Sequence, residues 1–392
     1  MIDKIKKISP YMENFGQVIL DAQSEDGEIL EQTSKANDYQ INKITKALTL
    51  SDNKNLIDKD LEDIIKNKKL GEFFSDISLY SISKHENNEK ILKHLNFRFN
   101  FQNSSNRLSI PEVPPYLLLE PASACNLRCP MCFQIDKTFT RKPYMGIMDW
   151  DFFCRIVDEA NEIGIGAVTL GSRGEPTLHP RYADMIEYVS KKENIFEVKT
   201  NTNATFLDTN KIHKLLESDI DTIVISADHY EKKTYEKLRK GANFEKILIN
   251  VEQLHKIREK HYPKSKTKIR ISGIDYYKNL DKKKFYTFWK KYSDDVSVAP
   301  AIERWDTYKN DPKNDNITTP CSYIWDRMYI WWDGICNPCD SDYKSYLQFG
   351  DAKKNTIKEI WNSNRHKELI KIHTDGNRKK KTPCDRCGIK FK

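Results

Sequence analysis

The chain of 392 residues predicts an α/β protein in three parts. Residues 1–110 form a mainly helical N-terminal extension, 111–310 an open six-stranded (β/α)6 partial barrel, and 311–392 a small cysteine-rich domain. Three observations carry this. Six short apolar runs alternate with amphipathic helical patterns in the middle of the chain, five of the nine cysteines lie after residue 320, and none lies before residue 125. Strictly alternating strand and helix signals specify a parallel sheet with right-handed crossovers.

The N-terminal part alternates helix-like stretches, such as Leu56-Ile-Asp-Lys-Asp-Leu-Glu-Asp-Ile-Ile65, with turns rich in Asn and Ser. It ends in Pro111-Glu-Val-Pro-Pro115, a hinge composition, and no chemistry is assigned to it. The predicted strands are 116–120, 167–170, 195–199, 222–226, 268–272 and 296–299. Helical periodicity falls near 150–163, 180–192, 209–217, 244–260 and 281–292. A closed eight-fold barrel needs two more units than this segment holds, hence the open form. In such folds the strand C-terminal ends and the loops after them carry the site.

Composition narrows the setting. Hydrophobic content of 38% and a mean hydropathy of −0.72 are those of a soluble chain. No apolar run approaches the roughly 18 residues of a membrane span, and the N-terminus lacks a signal-peptide core. The net charge of +8 is spread among interspersed acidic and basic residues, which reads as a solvated surface rather than a nucleic-acid footprint. Seven cysteines fall into CxxxCxxC, CxxC and CxxC groupings, which favour metal in a reducing compartment. A cytoplasmic protein without a membrane partner is expected.

Cys125, Cys129 and Cys132 directly follow the first strand. Three thiolates at gaps of three and two residues can hold three irons of a [4Fe-4S] cube and leave the fourth open. Structural zinc is the alternative, but it wants four closed ligands and this loop offers no fourth Cys or His.

At this motif the chain resembles the radical SAM superfamily, whose CxxxCxxC loop follows the first barrel strand. The resemblance implies a partial barrel of radical SAM type. In that family S-adenosylmethionine chelates the open iron and is cleaved to a 5'-deoxyadenosyl radical, with a flavodoxin- or ferredoxin-type protein as electron donor. Met131 stands where an aromatic residue is common, which leaves Phe133 as the aromatic beside the cofactor. The loop after the second strand, Gly171-Ser-Arg-Gly-Glu-Pro176, resembles the GGEP motif that binds the cofactor's amino group: Gly174, Glu175 and Pro176 match, and Arg173 replaces the first Gly. Thr200-Asn-Thr-Asn203 resembles the family's TNG turn, which brings in Asn201 and Asn203, with Asn203 able to adopt a left-handed conformation. Ser226, in Ser-Ala-Asp228, is similar to the serine that contacts the ribose, and Arg239 and Arg270 are expected to face the cofactor carboxylate. His179 is read as structural.

The second constellation is Cys321, Gly334, Cys339 and then Cys384-Asp-Arg-Cys387. Its spacing resembles the Cx9-15Gx4C opening of SPASM and twitch domains, and the resemblance implies four thiolates for one complete auxiliary [4Fe-4S] cluster. A zinc ribbon is the alternative. Cys336 is left outside this count and is read as a packing residue, a competing ligand or a hydrogen-atom donor to substrate. The function implied is hydrogen abstraction from, and oxidation of, a hydroxylated small molecule such as a sugar or aminocyclitol. Modification of a ribosomal precursor peptide, epimerisation with Cys336 as donor, and a non-enzymatic zinc and nucleic-acid adaptor are the other readings.

Overall fold

Tyr116-Leu-Leu-Leu119 is buried at every position, as is Ala167-Val-Thr-Leu170. Strands apolar on both faces need cover on both, which is the environment of a parallel sheet flanked by helices. In the computed structural model, which describes residues 38–50, 59–67, 69–70, 76–103, 110–301, 304–311 and 318–387, these runs are strands β1 and β2. They are followed by β3 (Glu197–Thr202), β4 (Thr222–Ser226), β5 (Lys268–Asp275) and β6 (Asp295–Pro300). Successive strands pair in parallel from β1 to β6. The fold is therefore the expected α/β one with a parallel sheet in sequential order.

The crossover helices begin where their capping chemistry places them. Asp149, Asp208, Asn243 and Asp281 each accept a backbone N–H of the first turn, opening the helices Trp150–Glu162, Thr209–Glu217, Phe244–His261 and Lys282–Trp289. A further helix, Lys232–Leu238, was not expected; it is short and built around the buried Tyr235 and Leu238. β3 starts two residues later than predicted, because the Phe196 and Glu197 amides both donate to the Gly166 carbonyl and set the register Ala167 to Glu197.

β1 gains a second neighbour on its other side. β7 (Met328–Ile330) pairs with it in parallel, followed by antiparallel β8 (Ile335–Asn337) and β9 (Gly350–Asp351). The cysteine-rich segment thus continues the barrel sheet, whose order is β6-β5-β4-β3-β2-β1-β7-β8-β9 among the described residues.

The chain divides into two compact units, Met1–Pro111 and Glu112–Lys392. The first has an apolar core of its own, with Ile44, Leu48, Leu61, Ile65, Ile91, Leu95 and Phe99 drawn from the helices Asp38–Leu50, Lys59–Lys66 and Asn88–Asn103. No helix among the described residues is long and apolar enough to cross a membrane.

Candidate metal and cofactor site

The cysteine triplet sits in the loop leaving the C-terminal end of β1. Its backbone is tied from three directions: the Cys132 amide donates to the Cys129 carbonyl at 2.9 Å, the Arg128 amide to Lys240 O at 2.9 Å, and the Glu175 amide to Ala124 O at 2.8 Å. Gln134 adds a bridge, its Nε2 donating to Ser123 O and Arg173 O, both at 2.7 Å. Leu127, Met131 and Leu238 pack around the thiols, with Ile274 and Tyr276 at the edge. Burial pushes the Cys125 thiol up to about 12 and the Cys129 thiol up to about 11, and raises Cys132 as well. Burial thus opposes the thiolate form, and a bound metal would favour it.

The loop after β2 lies directly on this one. A Cβ on Gly174 would stand 2.3 Å from Ala122 O and 2.4 Å from Ala124 O, so only glycine lets the two backbones touch. Glu175 is buried and fastens the loop to β3: Oε1 accepts from Thr177 N (3.2 Å), Thr177 Oγ1 (2.5 Å) and Thr202 Oγ1 (2.6 Å), and Oε2 accepts from Asn203 N (2.8 Å). It holds the site's shape, with Pro176 opening the buried turn behind it. Asn203 points its Nδ2 at Asn126 Oδ1 (2.9 Å) and toward Cys125 Sγ (3.9 Å). The left-handed residue of this turn is Ala204 (φ 60), not Asn203.

Polar groups remain for a ligand. Ser172 Oγ is buried without a hydrogen-bond partner, and Asn201 is exposed on β3 between the buried Thr200 and Thr202. Ser226 ends β4 half-buried, level with Ser272. Ser172 was missed in the sequence because nothing but its orphaned hydroxyl distinguishes it. These residues and the triplet's donor set fit a [4Fe-4S] cluster with one iron left for a ligand bearing amine, carboxylate and hydroxyl groups.

The arginines divide. Arg239 pairs with the fully buried Asp228 through Nε (2.5 Å) and Nη2 (3.0 Å), close enough to Cys129 to oppose the rise of its pKa. Arg270 lies five residues before the end of β5, and its Nε donates to Asp295 at 2.7 Å. We reassign it to an ion pair within the sheet. Arg173, too, is structural: it is buried in a bidentate pair with Glu120 (2.8 and 2.5 Å), donates to Tyr343 O at 2.9 Å, and lies 4.1 Å from the Trp331 ring centroid. His179 is held between Met148 O and the Arg181 amide, as a structural histidine should be.

Phe133 requires a correction. It is 1% exposed, stacked on Tyr343 at 4.9 Å and edge-on to Phe139, so neither face is open to an adenine ring. It instead cements the triplet loop to the cysteine-rich segment. The Arg304 guanidinium lies 5.5 Å from this ring and pairs with Asp340, the residue after Cys339.

Cys321, Cys339, Cys384 and Cys387 line one small cavity, partly open to solvent, together with Tyr323, Leu347, His373 and Arg378. Gly334 (φ +92) makes the turn between β7 and β8 that returns the chain to Cys339; a Cβ there would meet Lys353 at 2.8 Å. Burial raises the thiols of Cys339 and Cys384, as it does those of the triplet, and pushes Cys321 up to about 12. Burial alone would lower Arg378, but the surrounding thiols, Cys321 first, turn its net shift upward. Four cysteines with a buried cation between them fit a cluster that is fully ligated by protein. Cys336 does not join them. It is fully buried on β8, paired with Ile330 and Gly350, with its thiol against Gly334 O at 3.6 Å. It is a packing residue, and its assignment as a catalytic hydrogen donor is withdrawn.

Residues 119–281 match the radical SAM superfamily, and residues 321–388 match SPASM, an iron–sulfur cluster-binding domain. Among curated proteins, the tungsten-containing aldehyde ferredoxin oxidoreductase cofactor-modifying protein of Pyrococcus furiosus is 38% identical over 114 residues, 29% of this chain and 30% of that one. A GTP 3',8-cyclase of Hydrogenovibrio crunogenus is 26% identical over 137 residues, 35% of this chain and 41% of the cyclase. The chain thus matches less than half the length of either. Among solved structures, BtrN in complex with AdoMet and 2-DOIA superposes with a TM-score of 0.50 at 15% identity, covering 71% of this chain and 94% of BtrN. Streptococcus suis SuiB bound to the precursor peptide SuiA gives 0.53 at 16% identity, covering 93% and 88%. These likenesses establish a shared fold.

Proposed function

Because this chain is a radical SAM enzyme with a SPASM iron–sulfur domain, we propose that it oxidises a hydroxylated small molecule, of sugar or aminocyclitol type, at a carbon bearing a hydroxyl group. S-adenosylmethionine and a cluster held by Cys125, Cys129 and Cys132 would supply hydrogen-atom abstraction, and a cluster held by Cys321, Cys339, Cys384 and Cys387 would supply one-electron acceptance; together with loss of the hydroxyl proton to solvent these balance the conversion of a hydroxyl-bearing carbon to a ketone. The observation that carries the reading is the four-thiol cavity, whose cysteines would complete a cluster with no iron left for the cofactor, and whose Cys321 and Cys339 flank the β7–β8 pair that extends the triplet's sheet.

The chain's own residues bind and aim. Cys125, Cys129 and Cys132 hold one cluster, and Cys321, Cys339, Cys384 and Cys387 the other. Ser172, Asn201 and Ser226 take the polar groups of S-adenosylmethionine, while Gly174, Glu175, Pro176 and Asn203 fix the loop that presents them. Arg239, kept in place by Asp228, offsets negative charge beside Cys129. The Arg304–Asp340 pair, 33% and 18% exposed, links the residue after Cys339 to the Phe133 ring just past Cys132 and offers hydrogen bonds to substrate hydroxyls. A flavodoxin- or ferredoxin-type protein supplies the priming electron.

A second reading, modification of a precursor peptide, is favoured by one observation. The SuiB superposition covers 93% of this chain, more than Glu112–Lys392 alone could fill, so it reaches into the N-terminal unit. Anaerobic turnover of sugars and aminocyclitols, followed by mass spectrometry in deuterated water, separates these outcomes. The proposal expects a product lighter by H2, without solvent deuterium and equal in amount to 5'-deoxyadenosine. A product of unchanged formula carrying deuterium would mean epimerisation, and turnover only with a peptide would establish the second reading.

A further inference from the structure

Resting on the reading of the four-thiol cavity as an auxiliary cluster site, we infer that His373 is a hydrogen-bond donor from Nε2 to a sulfur of that cluster, and that it sets the cluster's readiness to accept an electron. His373 is the penultimate residue of the helix Asn364–Thr374 and is fully buried. Its Nδ1 accepts the backbone N–H of Cys321 at 3.1 Å. A ring nitrogen that accepts carries no proton, so the imidazole proton is on Nε2. That N–H is buried and has no hydrogen-bond partner. Leaving a donor in that state is unfavourable, because its desolvation is not repaid. The ring lines the cavity whose other walls are Cys321, Cys339, Cys384 and Cys387.

The arrangement is selective. Because Nδ1 is committed to an amide, Nε2 cannot offer a lone pair to iron without the ring losing its last proton, so His373 is a donor to sulfur and not a competing ligand. Arg378, buried in the same wall, acts in the same sense by placing positive charge among the thiolates. Both features stabilise the more negative, reduced form, and hydrogen bonds and charge at the sulfurs are the protein's usual means of raising a cluster potential. An electron acceptor requires that direction.

The test uses the full-length holoenzyme with both clusters, titrated electrochemically under EPR, with the auxiliary signal identified as the one S-adenosylmethionine does not perturb. His373→Asn keeps an acceptor for the Cys321 amide and removes the reach to sulfur; His373→Gln returns a donor. The expected result is a tenfold lower equilibrium constant for one-electron reduction in the Asn variant, about 59 mV, with unchanged iron and sulfide and recovery in the Gln variant. ENDOR on wild type labelled with 15N-histidine should show a coupling to the reduced auxiliary cluster that the Asn variant lacks. An unchanged potential at full iron content, or loss of auxiliary iron in both variants, would overturn the inference. Zinc instead of iron in the wild-type cavity would overturn the cluster reading itself, a result visible in metal analysis before any variant is made.

Discussion

The two cysteine sites are built in opposite ways. The triplet is local: three ligands within eight residues of one loop, with the fourth metal position left to a ligand. The cavity is assembled: Cys321, Cys339 and the Cys384–Cys387 turn come from three segments spread over 67 residues, and nothing brings them together except the folded domain. A local site can keep its ligands while its surroundings change, and it is well suited to an iron that must admit a cofactor. An assembled site closes off its metal, and its metal becomes part of the fold.

The largest effect should come from removing the local site. Replacing Cys125, Cys129 and Cys132 together by Ala should lower iron from about eight to about four per chain and abolish formation of 5'-deoxyadenosine under dithionite, while the domain around Cys321 stays folded. Replacing Cys384 and Cys387 by Ala should remove the other half of the iron, spare uncoupled cofactor cleavage and suppress product. Unlike the first variant it should also lower the protease resistance of residues 318–387. Equal protease resistance in the two variants would break the comparison.

A subtler substitution sharpens it. Gly174→Ala forces a Cβ against Ala122 and Ala124, a close-packing error of about 1–3 kcal/mol. It should cost the triplet its iron while leaving the auxiliary iron in place, as read by the ratio of the two EPR signals.

Smaller still is the link between the regions. Asp136, just past the triplet, accepts from Tyr343 Oη at 3.0 Å and pairs with Lys344 Nζ at 2.7 Å. Burial would raise its pKa, but Lys344, Thr138 and Tyr343 outweigh that and hold it at about 2, below the ordinary 3.8. A lowered carboxylate pKa stabilises the fold above the unfolded value and is lost as pH falls through the folded one, here worth about 2 kcal/mol. In denaturation of the apoprotein, the advantage of wild type over Asp136→Asn should be flat from about pH 5 to 8 and shrink only below about pH 4.

Much of this was legible in the chain. The six strands follow from apolar runs, the helix starts from their capping residues, and both metal sites from cysteine spacing. The rest depends on contacts that no local pattern encodes. Phe133 reads as an available aromatic until Tyr343, more than 200 residues away, stacks on it. Arg270 reads as a ligand-binding charge until Asp295 is seen to take it, and Arg173 as a mere departure from the motif until Glu120 is seen to pair with it. Cys336 is three residues from a cavity cysteine, yet its thiol is sealed in the sheet against Gly334, which periodicity in a three-residue strand is too short to show. His373 carries no motif at all and is distinguished only by an unpartnered nitrogen.

Mössbauer spectroscopy of the 57Fe-reconstituted enzyme, with and without S-adenosylmethionine, tests the division of labour most directly. Two [4Fe-4S] clusters in equal amount are expected, with one iron of one cluster shifting on cofactor addition and the second cluster unmoved. A response from both clusters, or from a single cluster beside a zinc-filled C-terminal site, would contradict it.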